Sequence, residues 1–156
     1  DDVEVVVQPQ SVVHSMVQYK DGAVIAQLGT PDMKLPIQYA LFYPERRYLP
    51  GKRLDFDAIA SIQFAKPDMD VFRGLAMAYQ VGREGGSLPT VFNAANEYAV
   101  ARFLERKIAF LDIYDIIQDC VEAHKNIESP SVEEILRVEA WTYEYIESRW
   151  KCERNN

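Results

Sequence analysis

The chain has 156 residues, of which 48% are hydrophobic and 26% are charged, and its net charge is −7 with an isoelectric point near 4.9. These values are typical of one ordinary globular domain or of two small subdomains. The negative charge argues against nucleic-acid binding, which requires a concentrated positive surface. No apolar run approaches the roughly 20 residues that a membrane-spanning helix needs.

The first residues resemble the interior of a protein more than its start. The chain opens with Asp1-Asp2-Val3, without an initiator Met and without the basic and apolar regions of a signal peptide. Residues 3–7 carry four valines, which predicts a strand buried on both faces. We therefore expect the sequence to be a piece of a longer protein.

A β-hairpin is predicted next. Apolar and polar residues alternate over residues 11–19, Lys20-Asp21-Gly22 supplies a turn, and residues 23–28 form the partner strand. Pro31 ends this strand, because proline cannot donate to a strand ladder. Residues 34–43 are predicted to be a short helix that ends before Pro44, and residues 59–64 a further strand within a connector.

The hydrophobic period changes from two to 3.6 after residue 67, and we place a boundary there. Helices are predicted at residues 71–83, 90–106 and 112–125, the third capped by Asp112, and from a capping box at Ser131 to about Trp150. Helices this short must bury their apolar stripes together. The predicted fold class is α+β: an antiparallel hairpin and edge strands, then a linker and a C-terminal four-helix bundle.

Candidate functional residues cluster around the hairpin. His14 could act as an acid or base or orient a metal-binding carboxylate, or it could simply bond a backbone carbonyl. The side chains of Gln8, Gln10, Ser11 and Ser15 suit a pocket for hydroxyl groups, or else they satisfy the backbone at a strand break.

Met33 would offer a polarisable surface to a flat ring, or it fills the core. Asn93, Asn96 and Glu97 share one helix face and could hold a ligand or metal. A structural network between helices, or to the linker, is the favoured interpretation of these three residues.

Other polar residues predict less. The cysteines, Cys120 and Cys152, and the histidines lack the spacing of a disulfide framework or zinc site, which fits a reducing cytosol. The basic residues of segments 45–47 and 52–53 are predicted to form a solvated loop, with a site for a phosphorylated ligand as the alternative.

A series of motifs runs through the whole chain and resembles the C-terminal part of the 1-deoxy-D-xylulose 5-phosphate reductoisomerase family. The motifs, in order, are Pro9-Gln10-Ser11, His14-Ser15-Met16, Asp21-Gly22, Ala26-Gln27-Leu28-Gly29, Pro31-Asp32-Met33, Asp55-Phe56, Phe92-Asn93-Ala94-Ala95-Asn96-Glu97 and Phe110-Leu111-Asp112-Ile113.

The resemblance implies an activity and a domain plan. The family makes 2-C-methyl-D-erythritol 4-phosphate in the non-mevalonate isoprenoid pathway: it isomerises a phosphorylated sugar and reduces the product with NADPH, using a divalent metal, Mg or Mn. Residues 1–33 would be the tail of the catalytic domain, 34–67 the linker and 68–156 the helical domain. A homodimer formed partly by the sheet, and a location in the cytoplasm or a plastid stroma, are also implied.

The resemblance also suggests roles for single residues. Pro31 and Met33 match the corner over the nicotinamide and substrate, so they would contact the cofactor, and His14 would support the metal-binding carboxylates. Those carboxylates, the phosphate-binding residues and the Gly-rich NADPH loop lie upstream of this chain, so no metal ligand is assigned here. Gln8 stands where the family usually has His. We expect the fragment alone to be inactive; the rival hypothesis is a stand-alone dimerisation or protein-interaction module.

Overall fold

The structure is a computed structural model that describes residues 3–150. The chain divides into two compact units, which within the described residues are 3–67 and 68–150. The predicted α+β class, a hairpin followed by helices, is confirmed. The elements are β1 (Val13–Gln18), β2 (Val24–Leu28), α1 (Lys34–Phe42), α2 (Phe56–Ile59), α3 (Arg73–Glu84), α4 (Leu88–Leu104), α5 (Asp112–Ala123) and α6 (Val132–Arg149).

The hairpin is the only sheet in the described part of the chain, and β1 and β2 pair in it antiparallel. Gly22 has a φ of 89° in the turn, a conformation that a residue without Cβ adopts at little cost. The turn is closed by the Tyr19 N–H, which donates to the Ala23 carbonyl at 2.8 Å. The hairpin prediction is therefore confirmed.

The two edge strands predicted on either side of the hairpin are wrong. Of residues 3–7, only Val7 makes a bridge, an antiparallel pair of bonds with Ala65. Val3 is 73% exposed, so this segment is not a strand buried on both faces. A β-branched run becomes a strand only where a neighbouring strand pairs with it. Within residues 3–67, Ala65 is the one residue that pairs with this segment.

A short helix, α2, ends where the second of those strands was expected to begin. Asp55 caps it, because its side chain accepts hydrogen bonds from the N–H groups of Asp57 and Ala58, both at 3.1 Å. Ala60 then takes a φ of 56° and ends the helix. The local cap outweighs the apolar pattern of residues 59–64.

Helix α1 has no buried residue although most of its residues are apolar. Leu41 is 75% exposed and Ile37 is 53% exposed. The helix ends before Pro44, as predicted. Its apolar side chains therefore have no core to enter within residues 3–67.

The core of the helical unit surrounds α4, which packs against α3, α5 and α6. Three buried alanines on α4, Ala94, Ala95 and Ala99, allow the neighbouring helices to approach closely. The fully buried side chains of Ile116 and Ile146 belong to the same hydrophobic cluster as Ala95 and Ala99. The four helices predicted after residue 67 are confirmed within residues 68–150.

The ends of these helices follow their local chemistry. Ser131 and Glu134 form the predicted capping box at the start of α6. The predicted cap at Asp112 is wrong: Leu111 is the capping residue of α5, and the Asp112 side chain accepts from the Ala109 N–H at 2.6 Å. Asp112 therefore holds the turn before the helix.

Cys120 is a free, buried thiol, and burial raises its pKa to about 12. Cys152 lies outside the described residues. Between residues 3 and 150, no helix combines the length and the apolar character that crossing a membrane requires.

Candidate functional site

The candidate site is the polar corner that flanks the hairpin, residues 8–14 on one side and 29–33 on the other. The loop before β1 is organised by Gln8. Its side-chain oxygen accepts hydrogen bonds from the N–H groups of Val12, at 2.7 Å, and Val13, at 3.3 Å. Its amide group donates to the Oε1 atom of Gln10 at 2.6 Å. The Gln8 side chain thus accepts the hydrogen bonds that a neighbouring strand would otherwise accept, at the point where β1 begins.

Gln10 extends this arrangement to the connector. Its Oε1 atom also accepts from the Gln63 N–H at 3.3 Å. Ser11, the residue after Gln10, adopts a φ of 51°, a left-handed conformation that is uncommon for a residue with a side chain. These contacts favour the structural interpretation of Gln8 and Gln10 over a pocket for hydroxyl groups.

His14 lies at a β-bulge. Val13 pairs with Leu28 and Ser15 pairs with Gln27, so β1 has one more residue than β2 across this step, and that residue is His14. A bulge turns a side chain out of the regular alternation and is common beside active sites. The sequence gives no sign of it.

The imidazole of His14 is exposed, and its Nε2 atom is 3.1 Å from the Ser11 carbonyl oxygen. The carbonyl can only accept, so Nε2 carries the hydrogen of this bond. The Nδ1 atom of a neutral ring is then left free to accept a hydrogen bond.

The second half of the corner begins at Gly29, whose N–H donates to the Val12 carbonyl at 3.0 Å. Asp32 then starts α1, because its Oδ1 atom accepts from the Lys34 N–H at 2.9 Å. Met33, the residue before the helix, is 69% exposed, and Pro31 is exposed as well. Met33 is therefore not core filler within residues 3–67.

The two halves of the corner meet at Val12, the one residue among 3–67 with a buried side chain. Its N–H donates to the Gln8 side chain, and its carbonyl accepts from the Gly29 N–H. No hydrogen bond joins His14 to Pro31 or Met33 in the described chain. Over the same residues, no group of three His, Cys, Asp or Glu side chains comes together. The corner can offer a ring nitrogen, amides and an apolar surface, but no set of metal ligands.

The basic residues after α1 are engaged within the chain. The guanidinium of Arg46 lies 3.7 Å from the centre of the Tyr39 ring, and that of Arg47 pairs with Glu45 at 2.9 Å. Arg53 donates to the Leu49 carbonyl at 2.6 Å. These contacts favour the solvated loop over a site for a phosphorylated ligand.

The structural network predicted for Asn93, Asn96 and Glu97 is not formed within the helical unit. None of the three side chains has a hydrogen-bond or ion-pair partner among residues 68–150. Asn93 and Glu97 are exposed, and Asn96 is half-buried.

A second polar cluster was not predicted, because its members lie about forty positions apart. The Oγ atom of Ser87, which is fully buried, is 2.8 Å from Nε2 of His124 and 3.2 Å from Oδ1 of Asn126. It also accepts from the Ile127 N–H at 2.9 Å. Gly86 allows this approach: a Cβ atom there would lie 2.5 Å from both Asn126 Oδ1 and the Ile127 carbonyl oxygen.

A serine bonded to a histidine resembles a nucleophile with its base, but this pair cannot act as one. The Ser87 hydroxyl has no access to solvent, and no carboxylate bonds His124 in the described chain. The ring of His124 instead lies 5.1 Å from that of Trp141. The cluster ties the α3–α4 loop to the α5–α6 loop.

The chain thus contains a bulged hairpin with its polar corner, and a four-helix unit that has a hydrophobic core of its own. A family model described as the DXP reductoisomerase C-terminal domain matches residues 28–145. The chain belongs to this family.

Relatives and solved structures agree. The chain is 58% identical to 1-deoxy-D-xylulose 5-phosphate reductoisomerase of Lachnospira eligens over 96% of its own length and 40% of the relative's. It is 57% identical to that of Lachnoclostridium phytofermentans, over 99% of the chain and 39% of the relative. The chain spans about two fifths of the length of these relatives.

Among solved structures, the Zymomonas mobilis enzyme in complex with NADPH matches with a TM-score of 0.81 and 40% identity, over 93% of this chain and 38% of that one. A DOX-P reductoisomerase in complex with NADPH, fosmidomycin and magnesium matches with a TM-score of 0.83 and 38% identity, over 92% of this chain and 37% of that one.

The stability of the helical unit should depend on pH through His124. Burial lowers the pKa of its imidazole below the 6.5 of an ordinary histidine. The unfolded chain therefore takes up a proton first as the pH falls, so the free energy of unfolding should decrease below about pH 6.5. Urea unfolding from about pH 7.5 to about pH 5 measures this slope, above the range in which carboxylates titrate.

His124→Gln is the matched variant, because its amide can still bond Ser87 but cannot titrate. It should flatten the slope over that range. An unchanged slope in the variant would show that His124 is not the group responsible.

Proposed function

We propose that this chain is the C-terminal part of an NADPH-dependent 1-deoxy-D-xylulose 5-phosphate reductoisomerase, which forms 2-C-methyl-D-erythritol 4-phosphate for isoprenoid biosynthesis. The observation that carries the proposal is the match itself: near-complete coverage of this chain at 58% identity, over only 40% of the relative. The activity would belong to the whole protein, and this part alone would be inactive.

The domain assignment follows from the proposal. Residues 1–33 would be the tail of the catalytic domain, residues 34–67 the linker and residues 68–156 the helical domain. The division of the chain at residues 67 and 68 supports the second boundary. The exposed hairpin and α1 support the first assignment, because such apolar elements need further chain to cover them.

The cofactor contact is proposed for Met33 and Pro31. Both are exposed at a corner whose backbone is fixed by the Gly29–Val12 and Lys34–Asp32 bonds, so an apolar and polarisable surface is held ready for a flat ring. NADPH, when bound, supplies the hydride for the reduction. The two side chains would orient the ring and exclude water from one of its faces.

His14 is proposed as a positioning residue. The bulge turns its ring out of the strand, and the bond to Ser11 fixes the ring through Nε2. Nδ1 could then bond a group that the upstream chain supplies. The divalent metal, Mg or Mn, would be held by upstream carboxylates, since residues 3–150 bring no three ligand side chains together.

The first experiment compares this chain with the full-length protein that contains it. Full-length protein should oxidise NADPH in the presence of 1-deoxy-D-xylulose 5-phosphate and magnesium, and the 156-residue chain should not, because residues 3–150 bring together no set of metal ligands. The decrease in absorbance of NADPH measures both rates. Turnover by the chain alone would refute its inactivity, and none by the full-length protein would refute the proposed activity.

The second experiment concerns Met33 in the full-length protein. Met33→Ala should raise the Michaelis constant for NADPH or lower kcat by about tenfold, or roughly 1–2 kcal/mol, from the lost contact with the ring. The melting temperature without ligand should barely change, because the side chain is largely exposed.

Leu136→Ala is the control for the second experiment. It removes an exposed apolar side chain, 58% accessible, from α6 and should leave the NADPH kinetics unchanged. A large loss of stability in Met33→Ala with normal kinetics would exclude the cofactor contact and point to core packing.

A homodimer is also proposed. Val17, Val24 and Ile25 are 57%, 55% and 62% exposed, and neither outer edge of the hairpin pairs with another strand among the described residues. An exposed apolar edge favours pairing with another copy. Light scattering of the 156-residue chain at tens of micromolar should find a dimer, and Ile25→Lys should weaken this dimer. A monomer at that concentration would contradict the proposal.

The cytoplasm is the proposed location. Its support is the family match to bacterial relatives together with a free buried thiol, Cys120, and a low count of cysteines.

A further inference from the structure

Gln8 accepts hydrogen bonds from three successive backbone N–H groups. Its backbone carbonyl accepts from the Ser11 N–H at 3.1 Å, and its side-chain oxygen accepts from Val12 at 2.7 Å and from Val13 at 3.3 Å. The first of these bonds closes a β-turn that has Pro9 in its second position, where proline is favoured. One half-buried residue therefore directs the chain from the turn into β1.

The Gln8 side chain is itself held in place. Its Nε2 atom donates to Oε1 of Gln10 at 2.6 Å, and the same Oε1 atom accepts from the Gln63 N–H at 3.3 Å. Two backbone bonds between Val7 and Ala65, at 2.9 and 3.0 Å, bring the connector beside this group. Since the amide nitrogen of Gln8 faces Gln10, its oxygen faces the chain that leads into β1. A long side chain with several rotamers is thus restricted to one orientation.

These bonds hold Ser11 in an unfavourable conformation. Its φ of 51° lies in the left-handed region, which a residue with a Cβ atom adopts only where its surroundings require it. Pro9 fixes only its own φ, and the turn bond holds the Ser11 N–H without fixing the direction of the Ser11 carbonyl. Rotation at Ser11 would carry Val12 and Val13 away from the Gln8 oxygen and break both bonds. The Gln8 side chain therefore stabilises the left-handed Ser11.

The Ser11 carbonyl in turn fixes the ring of His14. The Nε2 atom lies 3.1 Å from the carbonyl oxygen, and the exposed ring sits at the β-bulge. An exposed imidazole has several rotamers available, and this bond selects one of them. If Ser11 returned to a negative φ, its carbonyl would point in another direction and the bond to the ring would break. The direction of the His14 Nδ1 atom therefore depends on the conformation of Ser11.

We propose that Gln8 is a positioning residue, which sets the orientation of the His14 ring through Ser11. This role rests on the proposed function, in which Nδ1 of His14 bonds a group of the upstream chain. Gln8 contributes no atom to that bond. It acts through the backbone of residues 12 and 13 on Ser11, whose carbonyl then acts on the ring.

A purely structural role for Gln8 would have different consequences. If Gln8 only satisfied the backbone N–H groups at the start of β1, its loss would lower the free energy of unfolding and leave Ser11 and His14 in place. A positioning role requires that both of these residues move when the Gln8 oxygen is removed.

The test is a crystal structure of the full-length protein with Gln8→Met, compared with the unaltered protein and with Gln8→Glu. Met has a similar length but no oxygen acceptor, whereas Glu keeps the oxygen and loses the donor to Gln10. In Gln8→Met the φ of Ser11 should become negative, and the distance from Nε2 to the carbonyl oxygen should exceed about 3.5 Å. Gln8→Glu should keep both features. A left-handed Ser11 with an intact His14 bond in Gln8→Met would overturn the proposal.

Two further variants complete this experiment. Gln8→Asn replaces Gln8→Met if the latter does not fold; its side chain is one methylene shorter, so its oxygen falls short of the Val13 N–H and the same changes are expected. Gln18→Met is the matched control, because it removes another glutamine amide from an exposed position on β1. The control should leave Ser11 and His14 unchanged, and the same shifts in the control would overturn the proposal.

Kinetics test whether Gln8 acts through His14. Gln8→Met should lower kcat of the full-length protein by about tenfold and leave KM for NADPH within about twofold, since the proposed cofactor contact is at Met33. In a His14→Ala background, the same substitution should change kcat by less than about twofold. An unaltered kcat in Gln8→Met, or equal losses in the two backgrounds, would overturn the proposal. The crystal structures do not require catalysis, so a full-length protein without reductoisomerase activity would refute the proposed function while the effect of Gln8 on His14 is still decided.

Discussion

The close packing that three alanines permit on α4 is the constraint on which the helical unit depends. Ala94, Ala95 and Ala99 have small side chains, and Ala95 and Ala99 share one buried hydrophobic cluster with the fully buried Ile116 of α5 and Ile146 of α6. A larger residue on that side of α4 would separate the helices and open the core. The loops that join the helices then come close enough for Ser87 to reach His124 and Asn126.

The unit that contains the hairpin is built on a different principle. It buries little apolar surface, and hydrogen bonds fix its conformation where packing does not. Val12 illustrates this, since its N–H bonds the Gln8 side chain and its carbonyl accepts from Gly29. Gln8 fills this role with a neutral amide, whose oxygen accepts from the backbone N–H groups of Val12 and Val13.

Features of the fold that depend on interactions between residues close in sequence were predictable, and those that depend on distant residues were not. The hairpin was predictable because Lys20-Asp21-Gly22 and Pro31 act locally, and so was the start of α6, where Ser131 and Glu134 are three residues apart. The strand predicted at residues 3–7 failed because pairing requires a partner that no local pattern reveals. The short cap at Asp55 was also missed, and it redirected the segment that follows.

The candidate site shows the same division. The residues of the corner were identified from their order along the chain, but the bulge at His14 depends on the register with β2, which a single strand does not encode. The Ser87 cluster joins residues from two distant loops. Its one local sign was the Gly85-Gly86 pair, which predicts a helix end and does not by itself predict a polar contact.

The bulge makes the hairpin sensitive to chain length as well as to side-chain identity. Because β1 holds one residue more than β2, removing residue 14 would leave two strands of matching length and a regular ladder. The register would be kept, because Val13 would still pair with Leu28 and Ser15 with Gln27. The deletion would remove only the imidazole and the outward turn that the bulge gives it. In this hairpin, a fully regular ladder and the position of His14 therefore exclude each other.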